Sequence, residues 1–480
     1  MRRITTTIVA AALAASVAVP VAQQLDRSKP PTPGKTPELR VPTWTTGQLA
    51  NGAQLIVSER KGLPLISMNI TFVGGTRQFE TADRVGVAGF TTSMLREGTK
   101  TRDGEALALA LQLLGTNVGA GVGAESGSVS FQSTTDKFVP TLEILADMLV
   151  NSTFPAPALE RLRAQRLVQL AQANAQPGTI GSRVYSRVLY GADHPFGRTA
   201  TEATVKAVTR EDVVAFHAEY FKPGRAIVTV VGDVDASTVK ATLDKALAGW
   251  KAGGEKPTFS YPAPPAGKST TIYLVDKPGA AQSVFNIGLP GPPRNTPDYM
   301  ALEVMNFILG GHFQSRLNAN IREEKGYSYG VGSGFAFGKG PGAFTTGGDV
   351  VSDQTDAALV EFMKELRGIH GGRAITDEEM TTARDSLVQG LPDRFSSLAA
   401  IGSSILNLHL NDLPMDYYQN YPKAIAAVTK DDVLRVAKKY VDLDHLNIVI
   451  VGDRKSIEGP LKATGIAPIV ILDAEGTVQK

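Results

Sequence analysis

The chain has 480 residues, 42% hydrophobic and 20% charged, enough for two or three domains with real cores. Lys and Arg number 49 against 47 Asp and Glu, a net charge of +2 that excludes the basic excess of a dedicated nucleic-acid binder. Cysteine is absent, which excludes disulfides and Cys-based metal or catalytic sites, and the six histidines stand too far apart in sequence for a helical zinc pair.

In chain order, Arg2 and Arg3 precede an Ala-rich apolar run over residues 8–21, too short to span a bilayer comfortably. Residues 1–22 read as a secretory signal peptide, with small residues for cleavage at Ala18 or Ala22; a short membrane anchor is the competing reading. No later stretch reaches about 18 uninterrupted apolar residues. The expectation is an exported, periplasmic protein without a stable membrane anchor. Residues 23–43 form a Pro-rich arm with Pro30, Pro31, Pro33, Pro37 and Pro42. It is too polar to fold alone, and reads as a flexible tail or as an arm lying on a partner.

The rest of the chain repeats itself. AVTREDVVAFHAEYFKPGRAIVTVVGD, from Ala207, aligns without a gap to AVTKDDVLRVAKKYVDLDHLNIVIVGD, from Ala427, with nine identities over 27 residues at an offset of 220. In each, a Thr precedes a helical pattern with acids in its first turn, and a β-branched run follows and stops at Gly-Asp. The starts of the halves match as well. Residues 55–72 predict two strands around a Gly-Leu-Pro turn, and 272–289 two strands around a Pro-Gly turn, each followed by an Arg (Arg77, Arg294) and a helix.

The expected fold is therefore α+β, with two duplicated halves, 44–250 and 271–475. Each half is expected to be a hairpin-led, largely antiparallel sheet with helices on one face, and the halves to face each other as a clam-shell. The Gly-, Pro- and Ser-rich segment 251–270 is the linker.

Several motifs fail. Gly119, Gly121 and Gly123 are not spaced as a dinucleotide fingerprint, and Gly338-Lys339-Gly340 lacks the Ser or Thr of a phosphate loop. No nucleophile elbow is present.

Residues 86–99, GVAGFTTSMLREGT, carry a resemblance. They are similar to the metal-site helix of the pitrilysin/insulinase-type zinc metallopeptidases, Gly-Leu-Ala-His-Phe-Leu-Glu-His-Met-Leu-Phe-Lys-Gly-Thr. Gly86, Ala88, Phe90, Met94, Leu95, Gly98 and Thr99 match the frame. Gly89 and Ser93 stand at the two His positions and Thr92 at the Glu. Downstream, Gln165 and Gln172 stand where the family has acids. The resemblance thus implies a frame without its metal, and no metal ligand in this chain. It extends from about Thr43 to Leu472. His194, in HPFGR, reads as structural, and His312, in LGGHFQSRL, as a variable position.

What the resemblance retains is in the second half. IREEKGYSYG, from Ile321, matches the family's Arg-Glu-x-x-Gly-x-x-Tyr, which implies a substrate-contacting pair, Arg322 and Tyr329. Gly326 can end the helix carrying Arg322 and put Tyr329 at the start of a strand. Both side chains are donors suited to a carbonyl oxygen gaining charge. The implied protein is the non-zinc subunit of a two-chain peptidase. A homologous partner would carry zinc on an intact His-x-x-Glu-His helix, and peptides would be the substrates. A catalytically inert scaffold or peptide-binding subunit of the same fold is the alternative.

Overall fold

A computed structural model describes residues 39–265, 267 and 269–479. The expected signal peptide and nearly all of the Pro-rich arm lie outside the described residues.

Each half is built on a six-stranded mixed sheet. The first comprises β1 (Thr45–Gln48), β2 (Gln54–Glu59), β3 (Leu65–Val73), β4 (Gly119–Val122), β5 (Ser126–Thr134) and β6 (Ala226–Gly232), in the order β1-β2-β6-β3-β5-β4. The second comprises β7 (Thr271–Asp276), β8 (Gln282–Pro290), β9 (Ser328–Phe335), β10 (Ala343–Val351), β11 (Asn447–Gly452) and β12 (Ile469–Leu472), in the order β12-β7-β11-β8-β10-β9. Five strands of one half thus reproduce five of the other, ending on a Gly-rich edge strand, while the outermost strand differs: β1 runs antiparallel to β2 and β12 parallel to β7.

The hairpins expected at the start of each half do not form. The last strand of the repeat inserts between the first two. β6 runs parallel to β2, with Leu55 opposite Val228, and antiparallel to β3, with Ile70 opposite Val228. In the second half β11 enters between β7 and β8 in the same way. All seven residues of β6 are buried, as its unbroken apolar sequence AIVTVVG requires of a central strand covered on both faces.

The helices follow in chain order: α1 (Val87–Met94), α2 (Gly104–Leu113), α3 (Phe138–Asn151), α4 (Ala156–Ala175), α5 (Pro177–Tyr190), α6 (Arg210–Tyr220) and α7 (Ala236–Ala246) in the first half. The second half has α8 (Tyr299–Leu309), α9 (Thr355–Arg367), α10 (Asp377–Gln389), α11 (Leu398–Leu410), α12 (Tyr417–Ala426), α13 (Lys430–Tyr440) and α14 (Arg454–Ala463). The repeated Thr caps act as their sequence suggests. Thr209 and Thr429 each accept from the amide three residues on, Asp212 and Asp432, whose carboxylates reach back to the cap amides.

Each sheet has its own helices on one face. On β6, Ala226, Val228 and Val230 turn toward helices of the first half, and Ile227 and Val231 toward the other face. That second face is covered by a helix of the opposite half. Ile401 and Ile405 of α11 pack on Ile56, Ile227 and Val231, while Ile180, Val184 and Leu189 of α5 pack on Val275, Val449 and Val451. The halves meet through these exchanged helices. A Cβ on Gly181 of α5 would lie 2.8 Å from Asn286 Nδ2, and one on Gly402 of α11 would lie 3.5 Å from Val231.

Candidate functional site: a cavity without acids and an exposed Arg–Tyr edge

α1 begins at Gly86, whose φ of 109° is left-handed and suits glycine. Glu80 caps it, accepting from the Gly86 and Ala88 amides at 3.0 and 2.9 Å. Burial pushes the Glu80 carboxyl above the usual range, against the pull of those two bonds. The metal-frame positions follow on one face. Gly89 has open space where a side chain would be. Thr92 is buried and donates back to Ala88 O and Gly89 O of its own helix, both at 3.1 Å. Ser93 opens toward α4.

Between α1, α4 and β4 lies a cavity of about 400 Å³, lined among others by Gly89, Thr92, Ser93, Gln165, Arg166 and Gln169. No lining residue is His, Asp or Glu. Gln172 is not in the lining; Gln169, one turn after Gln165, takes the place the sequence match gave to it. This donor set does not fit zinc. Glycine offers no ligand atom, the threonine hydroxyl is engaged by its own helix, and neutral amides beside a guanidinium replace carboxylates. Among the described residues no cluster of three His, Asp or Glu is arranged to hold a metal ion.

Arg322 and Tyr329 stand at the far edge of the second sheet. Residues 316–324 are helical, wound wide as a π-helix over Ala319–Glu324. Gly326, at φ 67°, stops this helix, its amide donating to Arg322 O and the Tyr327 amide to Ile321 O. The chain then enters β9, where Tyr329 is 89% exposed. The Arg322 guanidinium lies 4.2 Å over the ring of Phe313, itself exposed, and its Nε is 3.1 Å from Glu323 Oε1. Among the described residues no hydrogen bond joins Arg322 to Tyr329. Both side chains are solvent-accessible, which leaves their donors available to a ligand.

The two edge strands are counterparts. Gly115 (φ 66°) precedes β4 as Gly326 precedes β9, and Gly119, Gly121 and Gly123 recur as Gly330, Gly332 and Gly334. This second repeat is legible in the sequence, where the first set of glycines, weighed as a dinucleotide fingerprint, gave no sign of its counterpart. The edges differ in what satisfies them. On β9 the outward amides of Val331 and Ser333 donate to Asn318 Oδ1 (3.1 Å) and Gly310 O (3.0 Å). On β4 the Gly123 amide bonds to Ser126 O within the hairpin, so the alternation turns the Ala120 and Val122 amides outward. Glu125, at the β4–β5 turn, ties both hairpins together. It accepts from Arg77 (3.2 Å), from the linker's Tyr261 (2.8 Å), and from the Lys339 amide before β10 (2.7 Å). A lone acid at a turn gave no signal of that role.

His194 is a structural residue: its Nδ1 accepts from the Phe196 amide at 3.1 Å, which leaves Nε2 to donate to Pro262 O at 3.0 Å.

Comparison with known proteins places this architecture. Residues 56–190 match the family described as Insulinase (Peptidase family M16), and residues 207–387 match Peptidase M16 inactive domain, together about two thirds of the chain. The chain belongs to the M16 peptidase family. It is 26% identical over 371 residues to an uncharacterized zinc protease of Mycobacterium leprae, covering 75% of this chain and 81% of that protein. It is 22% identical over 417 residues to a non-peptidase homolog of Helicobacter pylori, covering 85% and 94%. The crystal structure of a peptidase M16 inactive domain from Pseudomonas fluorescens superimposes with a TM-score of 0.77 at 26% identity, covering 85% of this chain and 98% of that one.

Proposed function

We propose that this chain is the non-zinc subunit of a two-chain M16 peptidase that cleaves unfolded peptides in the periplasm. The observation that carries the reading is a pairing: a metal-site frame without ligands, and an Arg–Tyr edge left open to solvent. A homologous partner with an intact His-x-x-Glu-His helix supplies the zinc, and with it the activated water. This chain's part is electrostatic. Arg322 carries a fixed charge and Tyr329 a hydroxyl donor, and both suit the scissile carbonyl oxygen as it becomes an oxyanion. The relatives' printed names, an inactive domain and zinc proteases, support a family in which both kinds of chain exist.

A second reading is favoured by one contact. Arg322 is already beside Glu323 and over Phe313, which suits a structural role in an inert scaffold. The test is reconstitution. The mature chain is mixed with a homologue bearing the intact motif, and copurification and peptide cleavage are followed. Cleavage by the pair and by neither chain alone supports the subunit reading. Copurification with no gain in cleavage supports the scaffold. The exported location is tested by N-terminal sequencing of native protein, expected to begin near residue 19 or 23 and not at Met1.

A further inference from the structure

The cavity between α1, α4 and β4 is not merely a metal site with its ligands removed, because its charge has been reversed. α4 carries three arginines, and two of them are neutralised. Arg161 pairs with Glu97 at 2.5 Å, and Arg163 with Glu160 at 3.1 Å. Arg166, the one that lines the cavity, stands with Gln165 and Gln169 on its solvent-open side, has no carboxylate within ion-pair distance among the described residues, and makes one long hydrogen bond, 3.4 Å, to Gln169 Oε1. Glu80, whose buried carboxyl the Arg166 charge favours, lies before α1 and is already engaged by the Gly86 and Ala88 amides.

The other polar groups in the lining add donors and no negative charge. Gln169 turns its carbonyl oxygen to Arg166, which leaves its amide nitrogen free to donate. The Gln165 amide and the Ser93 hydroxyl make no hydrogen bond among the described residues. Gly89 leaves the volume of a missing side chain open, and Phe90, Leu162 and Val122 form an apolar wall. The group that answers one guanidinium, two amides and a hydroxyl in a pocket of this size is a small planar anion. Gly121 and Val122 lie both in the cavity lining and on the edge strand whose outward amides are open. An extended segment lying along that edge would therefore run into the cavity.

We propose that this cavity binds a peptide carboxylate, from a chain terminus or from an Asp or Glu side chain, on Arg166, Gln165, Gln169 and Ser93. The proposal rests on the reading above only in taking peptide as the ligand. It requires neither a partner nor cleavage.

The test uses the full mature chain alone and fluorescence anisotropy with a short labelled peptide of neutral side chains. Three forms are compared: a free C-terminal acid, the C-terminal amide, and the amide with one central Glu. A charge-assisted contact of this kind is expected to favour a carboxylate-bearing form by about tenfold over the neutral amide. Whether the first or the third form gains identifies the source of the carboxylate. Arg166→Gln is expected to reduce the gain below about twofold, since the amide keeps a donor but loses the charge. Gly89→Leu, which fills open space from a helical position, is expected to abolish it, with thermal melting confirming that each variant is folded. Equal affinity of all three forms, or a gain that survives Arg166→Gln, would overturn the proposal. Either result leaves the reconstitution experiment on Arg322 and Tyr329 to be decided separately.

Discussion

The hydroxyl of Tyr185 donates to the backbone carbonyl of Phe344 at 2.8 Å, a buried bond from α5 of the first half to β10 of the second. Burial pushes the phenol well above its usual range and keeps it a donor. Gly288 makes room for the contact, since a Cβ there would stand 2.4 Å from the Tyr185 hydroxyl and 2.0 Å from Phe344 O. Tyr185→Phe should cost about 1 kcal/mol, the loss of one buried hydrogen bond. Gly288→Ala should cost more, about 3 kcal/mol, because the clash is with backbone. Urea denaturation reads both, and an unchanged midpoint for Gly288→Ala would show that the interlock is slack.

Asp298 predicts a pH dependence. It sits before α8, and Arg435, Lys439 and Tyr440 of α13 reach its carboxylate at 2.7, 2.8 and 2.7 Å. Burial alone would push this carboxyl up, but the bonds from Lys439, Tyr440 and Arg435 outweigh it and hold the pKa at about 2. A depressed acid stabilises the fold above its unfolded pKa of about 4, and that stability is lost as pH falls toward the folded value. Asp298→Asn should therefore cost about 2 kcal/mol at pH 7, with the gap from wild type narrowing below about pH 4. Denaturation at neutral and acid pH checks the sign, and a gap that widened in acid would contradict it.

The chain should carry no stoichiometric zinc. Gly89, Thr92, Ser93 and the glutamines of α4 supply neither imidazole nor carboxylate. Elemental analysis of the purified chain should find it metal-free, and a chelator should leave its melting temperature unchanged. About one tightly held zinc per chain would refute this.

Within a reconstituted pair, Tyr329→Phe should lower kcat by about 10²–10³, with assembly intact. It removes one hydroxyl from an exposed side chain, so folding is spared. Arg322→Ala should act in the same direction, but it also strips the stacking partner from Phe313 and needs a melting control. Wild-type rates for both would assign the pair to structure.

Much of the fold was legible locally. The Thr209 and Thr429 caps, the runs AIVTVVG and NIVIVG, and the stop at Gly326 are each set by residues within a turn or a strand of one another, and propensity and capping act at that range. The repeat made two equivalent halves inevitable. What the sequence could not state was pairing at a distance. Backbone hydrogen bonds between strands are the same whichever apolar strand supplies them, so nothing in residues 55–72 announced that β6, 173 positions beyond Leu55 at Val228, would part the two strands. Periodicity likewise marked a buried face on α5 and α11 without saying that each would lie on the other half's sheet. The site divides in the same way. That positions 89, 92 and 93 carry neither imidazole nor carboxylate is read directly from the sequence. That Gln169 rather than Gln172 faces them, and that Arg166 is left unneutralised there, was decided only when α4 packed across α1 and fixed which of its turns meets the cavity.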